Sequence, residues 1–377
     1  MLRDENRFKL WWRKPGSDGY GYAESKDGLN FLQVDDIEGI NFAGDFTMSV
    51  MIDPHEVDEQ HRFKAAYDAP GMAAGIAHSA DGVHWTPYDN GQPVTHRAAD
   101  IYNQIVWDEG AATYRLFTRT DFGTAGGSGE IRGTRSMTNA HLKSAPTNWQ
   151  VVRNWIFDQE GEHEYQRRQI YALTDWIYQD IHFAMMSVYE WPSDLSEGPT
   201  DLSNRHERDV MNVYMAMSRD GDTWDLTAVY EQQPIIERGG DRSFDKDLLL
   251  PTSSIVTCGD KHWLYYAGAD ERHGTPDVVF PRKHAIGLVT LRLDGFVSLT
   301  ADAEGTLVTK PLVLKGEILE FNVAAGNGSI CVEVLDANEK PMVGFAEQDA
   351  KLKEHVDALR WQPEWVNPLK NLQGQVV

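Results

Sequence analysis

The sequence predicts an all-β chain: a five-bladed β-propeller over residues 1–300, followed by a small C-terminal β-sandwich-like domain over 301–377. Three observations lead there. A cassette of two short apolar or aromatic runs and an Asp-Gly turn recurs along the chain, and no long stretch before residue 300 keeps a 3.6-residue apolar period. From about residue 300 the texture changes to alternating runs separated by polar turns.

The first runs of the cassette are R-F-K-L-W-W at 7–12, R-F-K-A-A-Y at 62–67, T-Y-R-L-F-T at 113–118, I-H-F-A-M-M at 181–186 and K-H-W-L-Y-Y at 261–266. A second run follows each, at 21–25, 75–79, 129–136, 213–218 and 285–291. Then comes the turn: S-K-D-G-L-N-F at 25–31, S-A-D-G-V-H-W at 79–85 and S-R-D-G-D-T-W at 218–224, with degenerate copies ending at Trp149 and at L-D-G-F, 293–296. Asp-Gly suits a tight turn because Gly tolerates positive φ and Asp bonds its own backbone. A spacing of roughly 50–80 residues is that of four-stranded blades with loop insertions. The cassette at Arg7 has only six residues ahead of it, too few for an obvious strand of its own. Beyond 300, the runs at 306–314, 318–323 and 329–336 read as strands of a small sandwich, incomplete if the chain stops at Val377.

A formal net charge of −23 argues against nucleic-acid and anionic-membrane partners, which need a basic footprint. Two cysteines, Cys258 and Cys331, make neither a zinc cluster nor a disulfide framework; free thiols and a single long-range bridge both fit. No apolar run approaches transmembrane length, and the charged start of this numbering carries no signal-peptide core.

In a propeller the first strand of each blade lines the central channel, and the residues that open those strands converge on one funnel. Here each opener carries an acid: Asp45, Asp100, Glu162 or Glu164, and Asp245 or Asp247. An Asp ahead of a strand is ordinarily a turn residue. Four in equivalent places put several carboxylates in one pocket, where each raises the others' pKa. Glycoside hydrolysis needs that arrangement, one protonated acid for the leaving oxygen and one ionised carboxylate as base or nucleophile.

The cassette order, the acidic strand openers and the appended β-domain resemble the five-bladed-propeller glycoside hydrolases of families 32 and 43, the β-fructosidase and arabinanase/β-xylosidase group. The resemblance rests on architecture: W-M-N-D-P-N-G, a clear R-D-P and E-C are absent. Mapped by order, it implies Asp45 as base or nucleophile, Asp100 as the residue that tunes pKa and holds substrate, and Glu164 as general acid, with Glu162 the rival acid. Asp247, Glu162, His163, Tyr165, Arg167, Arg168 and Trp107 are then substrate-binding candidates. The two arginines are read either as a surface pair or as a clamp for a carboxylate or sulfate on the sugar. Trp107, Trp155, Tyr165 and Trp176 are candidates for stacking on sugar faces, against the ordinary reading as inter-blade core.

Other motifs carry less. G-T-A-G-G-S-G at 123–129 lacks the Lys-Ser/Thr and helix of a phosphate cradle. The histidines are scattered without ligand spacing, so no cofactor is expected; a structural divalent cation in the central channel fits the fold, but the sequence marks no ligands for it. Ser-His-Asp chemistry lacks its nucleophile elbow. The expected function is an exo-acting glycosidase on a plant or algal polysaccharide fragment. The alternatives are a non-catalytic carbohydrate-binding propeller and a polysaccharide lyase. The expected partner is an oligosaccharide or polysaccharide.

Overall fold

A computed structural model describes residues 1–14, 19–40, 48–96, 102–123, 130–157, 167–191, 208–272 and 284–377. Strands make up 49% and helix 6%, so the protein is all-β. It divides into two compact units, Met1–Val256 with Trp263–Val289, and Thr257–His262 with Thr290–Val377.

The first unit is a succession of antiparallel meanders. β1 (Leu2–Asp4), β2 (Arg7–Arg13), β3 (Tyr20–Ser25) and β4 (Leu32–Asp36) form one sheet in sequence order. β5 (Ser49–Ile52), β6 (Phe63–Ala69), β7 (Ala73–Ser79) and β8 (Thr86–Pro87) form the next. The third holds β9 (Gln104–Asp108), β10 (Thr113–Gly123), β11 (Glu130–Asn139) and β12 (Gln150–Trp155). Then follow β13 (Arg168–Tyr178), β14 (Ile181–Glu190), β15 (Val210–Ser218) and β16 (Trp224–Asp225). After them come β17 (Leu248–Pro251), β18 (Val256–Cys258), β19 (Lys261–Ala269) and β20 (His284–Arg292). These last two groups are joined into one eight-stranded sheet by a parallel contact at Met211↔Leu248.

The five aromatic first runs fall in β2, β6, β10, β14 and β19. The strand missing ahead of Arg7 is supplied by β1, whose three residues pair Leu2↔Lys9 and Asp4↔Arg7. β6 and β7 are buried almost throughout, because their alanines leave room for apolar packing on both faces.

The three full turns are the same structure. Ser25 Oγ accepts from the amides of Asp27 (3.3 Å) and Gly28 (2.9 Å), while Asp27 Oδ1 accepts from Leu29 and Asn30. Ser79 with Asp81, and Ser218 with Asp220, repeat the pattern. The glycines sit at φ +73°, +83° and +72°, and each is covered by a group from another sheet. Trp11 donates its indole N–H to Gly82 O at 2.7 Å, Arg115 donates to Asp220 O at 2.6 Å, and Tyr265 donates its hydroxyl to Gly28 O at 2.8 Å. The cassette is thus a docking device between sheets, local in sequence and read across the structure. Ser79→Ala orphans two amides at once, one of them buried, and is expected to lower stability by about 1–3 kcal/mol in denaturant titration. A change below about 0.5 kcal/mol, the scale of an ordinary surface substitution, would show that the turn closes without its serine.

Apolar clusters fill the sheet-to-sheet interfaces in order. Trp11 and Tyr22 pack with Val50 and Phe63, Ile76 and Tyr88 with Ile105 and Leu116, Phe117 with Ile170 and Tyr214, and Tyr189 and Met211 with Leu248 and Ala269. The last meander returns to the first: Phe8 stacks on Trp263 at 5.4 Å, and Ser254 Oγ donates to Met1 O.

A buried charge network ties the third meander to the fourth. Arg115 Nε donates to Asp108 at 2.6 Å and its Nη1 to Asp222 at 3.0 Å; His182 Nδ1 lies 2.7 Å from Asp175. Burial pushes the Asp175 carboxyl up, against the pull of His182. Burial lowers the His182 pKa, but the two carboxylates Asp175 and Asp108 outweigh it and the net shift is upward. Both groups therefore hold a proton more tightly folded than unfolded. The His182 contribution is complete below its ordinary value of 6.5 and is lost as pH rises through the folded pKa. Burial lowers His61, His78 and His262, which act in the opposite sense. The expected signature is therefore a difference: the stability gap between the wild type and His182→Gln narrows above pH 6.5. A gap independent of pH would contradict it.

The second unit is loop-rich. Its one sheet among the described residues pairs β21 (Phe321–Ile330) with β22 (Lys353–Trp361), with register shifts at two places. Leu314, Val334, Phe345, Leu369 and Leu372 form its core, bordered by Trp365, whose indole N–H donates to Val332 O at 2.7 Å. The run at 306–314 is not a strand; its end meets the C-terminal residues at the isolated bridge Val313↔Val376, flanked by reciprocal backbone bonds between Leu312 and Val377 at 2.8 and 2.9 Å. Cys258 and Cys331 are free thiols.

Candidate active site

The strand openers Asp45, Asp100, Glu162, His163, Glu164 and Tyr165 lie outside the described residues. The strands that they precede are described, and two of these, β9 and β13, meet each other and β17, the strand that Asp245 and Asp247 precede. Gln104, the first residue of β9, donates its amide to Asp175 O (2.8 Å) on β13 and to Ser253 O (2.5 Å) just past β17, and accepts from Asp175 N at 2.6 Å. Thr174 Oγ1 on β13 reaches Thr252 O at 3.4 Å. A fully bonded glutamine at this point fixes the first strands of three meanders against one another with no buried amide wasted.

The head of β13 carries a row of buried charges. Arg168 pairs with Glu190, its cross-strand neighbour on β14, at 3.2 Å. Glu190 also accepts from Tyr214 Oη (2.7 Å) and Asn212 Nδ2 (2.6 Å), and Asn212 Oδ1 accepts from Arg238 Nε at 2.9 Å. Burial first, and then the Glu190 charge, pushes the Tyr214 pKa up, so its hydroxyl stays a donor. Across the parallel joint, Met211 N donates to Asp247 O at 3.0 Å, and the Asp247 carboxylate pairs with Arg272 Nε at 3.2 Å. Glu190 and Asp247 are 6% and 5% exposed, so their charges are tolerated only because each is matched by a guanidinium. Asp245, two residues earlier, accepts from Ser243 and from Tyr266 Oη at 2.7 Å; burial raises its pKa, but these bonds outweigh that and hold it below the usual range.

Of the other sequence candidates, Arg167 is exposed and its carbonyl accepts from Trp191 N at 3.2 Å, extending the β13–β14 ladder. Trp107 is not brought to the strand heads. It lies near the far end of β9, stacked on His55 at 4.2 Å and edge-on to Tyr114, with its indole N–H on Glu109. Trp155 packs on Phe157, and Trp176 on Tyr178 and Phe183. The residues that sequence reading did not single out are Glu190, Asn212, Tyr214 and Arg272. Their signal was the antiparallel register, which sets Glu190 opposite Arg168. Among the described residues no group of three or more His, Cys, Asp or Glu side chains is placed to hold a metal, and no helix is long and apolar enough to cross a membrane.

The fold is similar to that of a thermostable family-43 glycoside hydrolase, with a TM-score of 0.52 and 13% identity over 81% of this chain and 93% of that one. It is similar also to that of a BT0996 RGII complex, with a TM-score of 0.51 and 11% identity over 81% and 89%. An exo-inulinase from Aspergillus awamori aligns at a TM-score of 0.46 and 14% identity over 90% and 75%. At these identities the likeness is one of fold, and at that level the resemblance to the glycoside hydrolases of this group holds. No protein-family model and no curated protein sequence matches the chain.

Proposed function

We propose that the protein is a glycoside hydrolase, exo-acting on a plant or algal polysaccharide fragment. The chemistry is assigned to carboxylates at the heads of the first strands of a five-bladed β-propeller. The five successive meanders, with the fifth returning to the first through Tyr265 and Gly28, support the blade count. Residues 301–377 are read as an appended small β-sandwich-like domain.

The observation that carries the reading is the convergence of β9, β13 and β17 through Gln104. The reading takes the leaders of these strands, with Asp100, Glu164 and Asp247, to open on one pocket, on the pattern of acidic strand openers in the sequence. Glu164 is assigned as general acid, with Glu162 its rival. Asp45 is the base or nucleophile on the opposite face of the sugar, and Asp100 tunes the acid and holds hydroxyls. Asp247 and Arg168 border the substrate, together with His163, Tyr165 and Arg167.

The test is a hydrolysis screen over nitrophenyl glycosides and plant and algal oligosaccharides, with products resolved by size. Release of single sugars from one chain end is expected. Binding without turnover across the screen would replace the hydrolase by a binding propeller, and unsaturated products would replace it by a lyase.

A further inference from the structure

The connection from β5 to β6, residues 53–61, is anchored by charged and imidazole side chains and not by apolar burial. Its apolar members, Pro54 and Val57, face solvent, Val57 with 95% of its surface exposed. Three clamps hold it. His55 stacks on Trp107 of β9 at 4.2 Å and 8°. Glu56 lies between Lys64 Nζ of β6, at 3.1 Å, and Lys143 Nζ, from the link between β11 and β12, at 3.0 Å. His61 stacks face to face on His78 of β7, with centroids 3.6 Å apart at 9°, and Tyr88, just past β8, closes against both rings. Within the loop Asp53 accepts from the His55 amide, Glu56 from Asp58 and Asp58 from Gln60, so carboxylates also shape its backbone.

The imidazole stack is the clamp that answers to mild acid. His61 Nδ1 meets Tyr88 Oη at 3.0 Å. His78 Nδ1 donates to the Gln60 carbonyl at 3.1 Å, which leaves Nε2 of His78 as the atom that takes a further proton. Two neutral rings are compatible with this stacking, whereas two imidazolium charges 3.6 Å apart repel. Burial first, then His78 and Lys143, lowers the His61 pKa against Asp58 and Glu56. Burial lowers His78 too, with Lys64 and Lys143 in the same sense and the Gln60 bond and Asp58 opposed. Asp53, at the end of β5, is occupied by Lys64 and Tyr114. The Gln60 amide holds Asp58 below its ordinary range, and Glu56 lies at about 2, so near neutrality the carboxylates stay ionised and the imidazoles titrate. Lowered folded values mean that the closed loop binds fewer protons than the open one. The contribution of the stack is complete above the ordinary 6.5 and is lost as pH falls through the folded values.

We propose that residues 53–61 form an acid-labile latch, closed over the joint of the second and third meanders by the His61–His78 stack and released when that stack takes protons. The latch stands apart from the glycosidase reading and needs no substrate to be tested. Hydrogen exchange on the full chain, corrected for the intrinsic rate at each pH, reads the amides of Asp53, His61 and Arg62, which donate to Arg62 O, Asp58 O and Glu59 O. Their protection should fall about 3- to 10-fold from pH 7.5 to 5.5, within the tenfold per pH unit that one linked proton allows. Amides of β14, far along the chain from the loop, should keep theirs. The double variant His61→Gln with His78→Gln has no titrating group in the stack and should lose this pH dependence. Where it folds poorly, His78→Gln is followed by imidazole NMR: removing the neighbouring ring should raise the His61 pKa, because the field of His78 is one of the causes that lower it. Protection independent of pH in the wild type, an unchanged slope in the double variant, or an unshifted His61 in the single one would overturn the latch. So would a parallel loss in β14, which would make the opening global.

Discussion

Replacing Lys64 by Met is expected to cost about 3–5 kcal/mol of folding stability, the scale for stripping one partner from a buried ion pair. The Lys64 side chain has no exposed surface; its Nζ lies 2.6 Å from Asp53, which is equally buried, and 3.1 Å from Glu56. Tyr114 Oη also donates to Asp53 at 2.6 Å, and Lys143 bridges to Glu56 at 3.0 Å, so the site joins the second meander to the third. Met matches the length of the Lys stem and leaves Asp53 with an uncompensated charge. Urea titration measures the loss, and Lys64→Met with Asp53→Asn should recover part of it by removing that charge. A second handle is acid. Burial would raise the Glu56 carboxyl, but the Asp58 amide, Lys143 and Lys64 together outweigh it and bring it down to about 2 from 4.5. Its contribution is then complete above 4.5 and disappears as pH falls towards 2. A single variant as stable as the wild type would show that the cluster relaxes into water at no cost.

On a substrate found by the screen, Glu164→Gln should cut turnover by roughly 10²–10⁴-fold with binding retained, because the amide keeps the shape and has no proton to give. An acid must stay protonated near its working pH, and a guanidinium close by opposes that by favouring the charged carboxylate. Glu164 precedes Arg167 and Arg168 by three and four positions, which makes this a real obstacle to the assignment. Part of it is removed by Glu190, whose carboxylate already balances Arg168 at 3.2 Å. Single-turnover kinetics with the leaving group varied gives the sharpest reading. A poor leaving group should suffer most from the loss of the acid, and one that departs unaided should suffer least. Wild-type turnover in Glu164→Gln passes the role to Glu162.

Much of the strand order was legible because its determinants are local. The Ser-x-Asp-Gly turn closes on its own amides within four residues, and the runs on either side alternate as strands do. β1 escaped notice because Leu2–Asp4 is too short to display a period. The run at 306–314 misled for the converse reason: it is rich in apolar side chains, yet Leu307 and Val308 are exposed and only Val313 makes a bridge. The row at the β13 head was hidden because partnership across strands depends on register. Gln179 and Asp180, both at positive φ, form a two-residue turn, and counting outwards from Tyr178↔Ile181 brings Arg168 opposite Glu190 only after a one-residue shift between Ile170 and Ala172. A bulge of that kind leaves no mark in composition. Trp107 illustrates a further limit, since an aromatic near a strand reads the same whether it faces sugar or another ring.

The hydroxyl of Tyr265 on the carbonyl of Gly28 joins groups 237 positions apart. On a ribosome adding about 5–20 residues per second, the first meander therefore waits roughly 10–50 s for the neighbour that covers its turn. Over that interval β1–β4 has one face and one turn without their native cover, as a nascent sheet open to wrong partners. Synthesis speed and chaperone supply, more than final stability, then govern how much active protein a cell recovers, and slower translation of the later meanders lengthens the exposure.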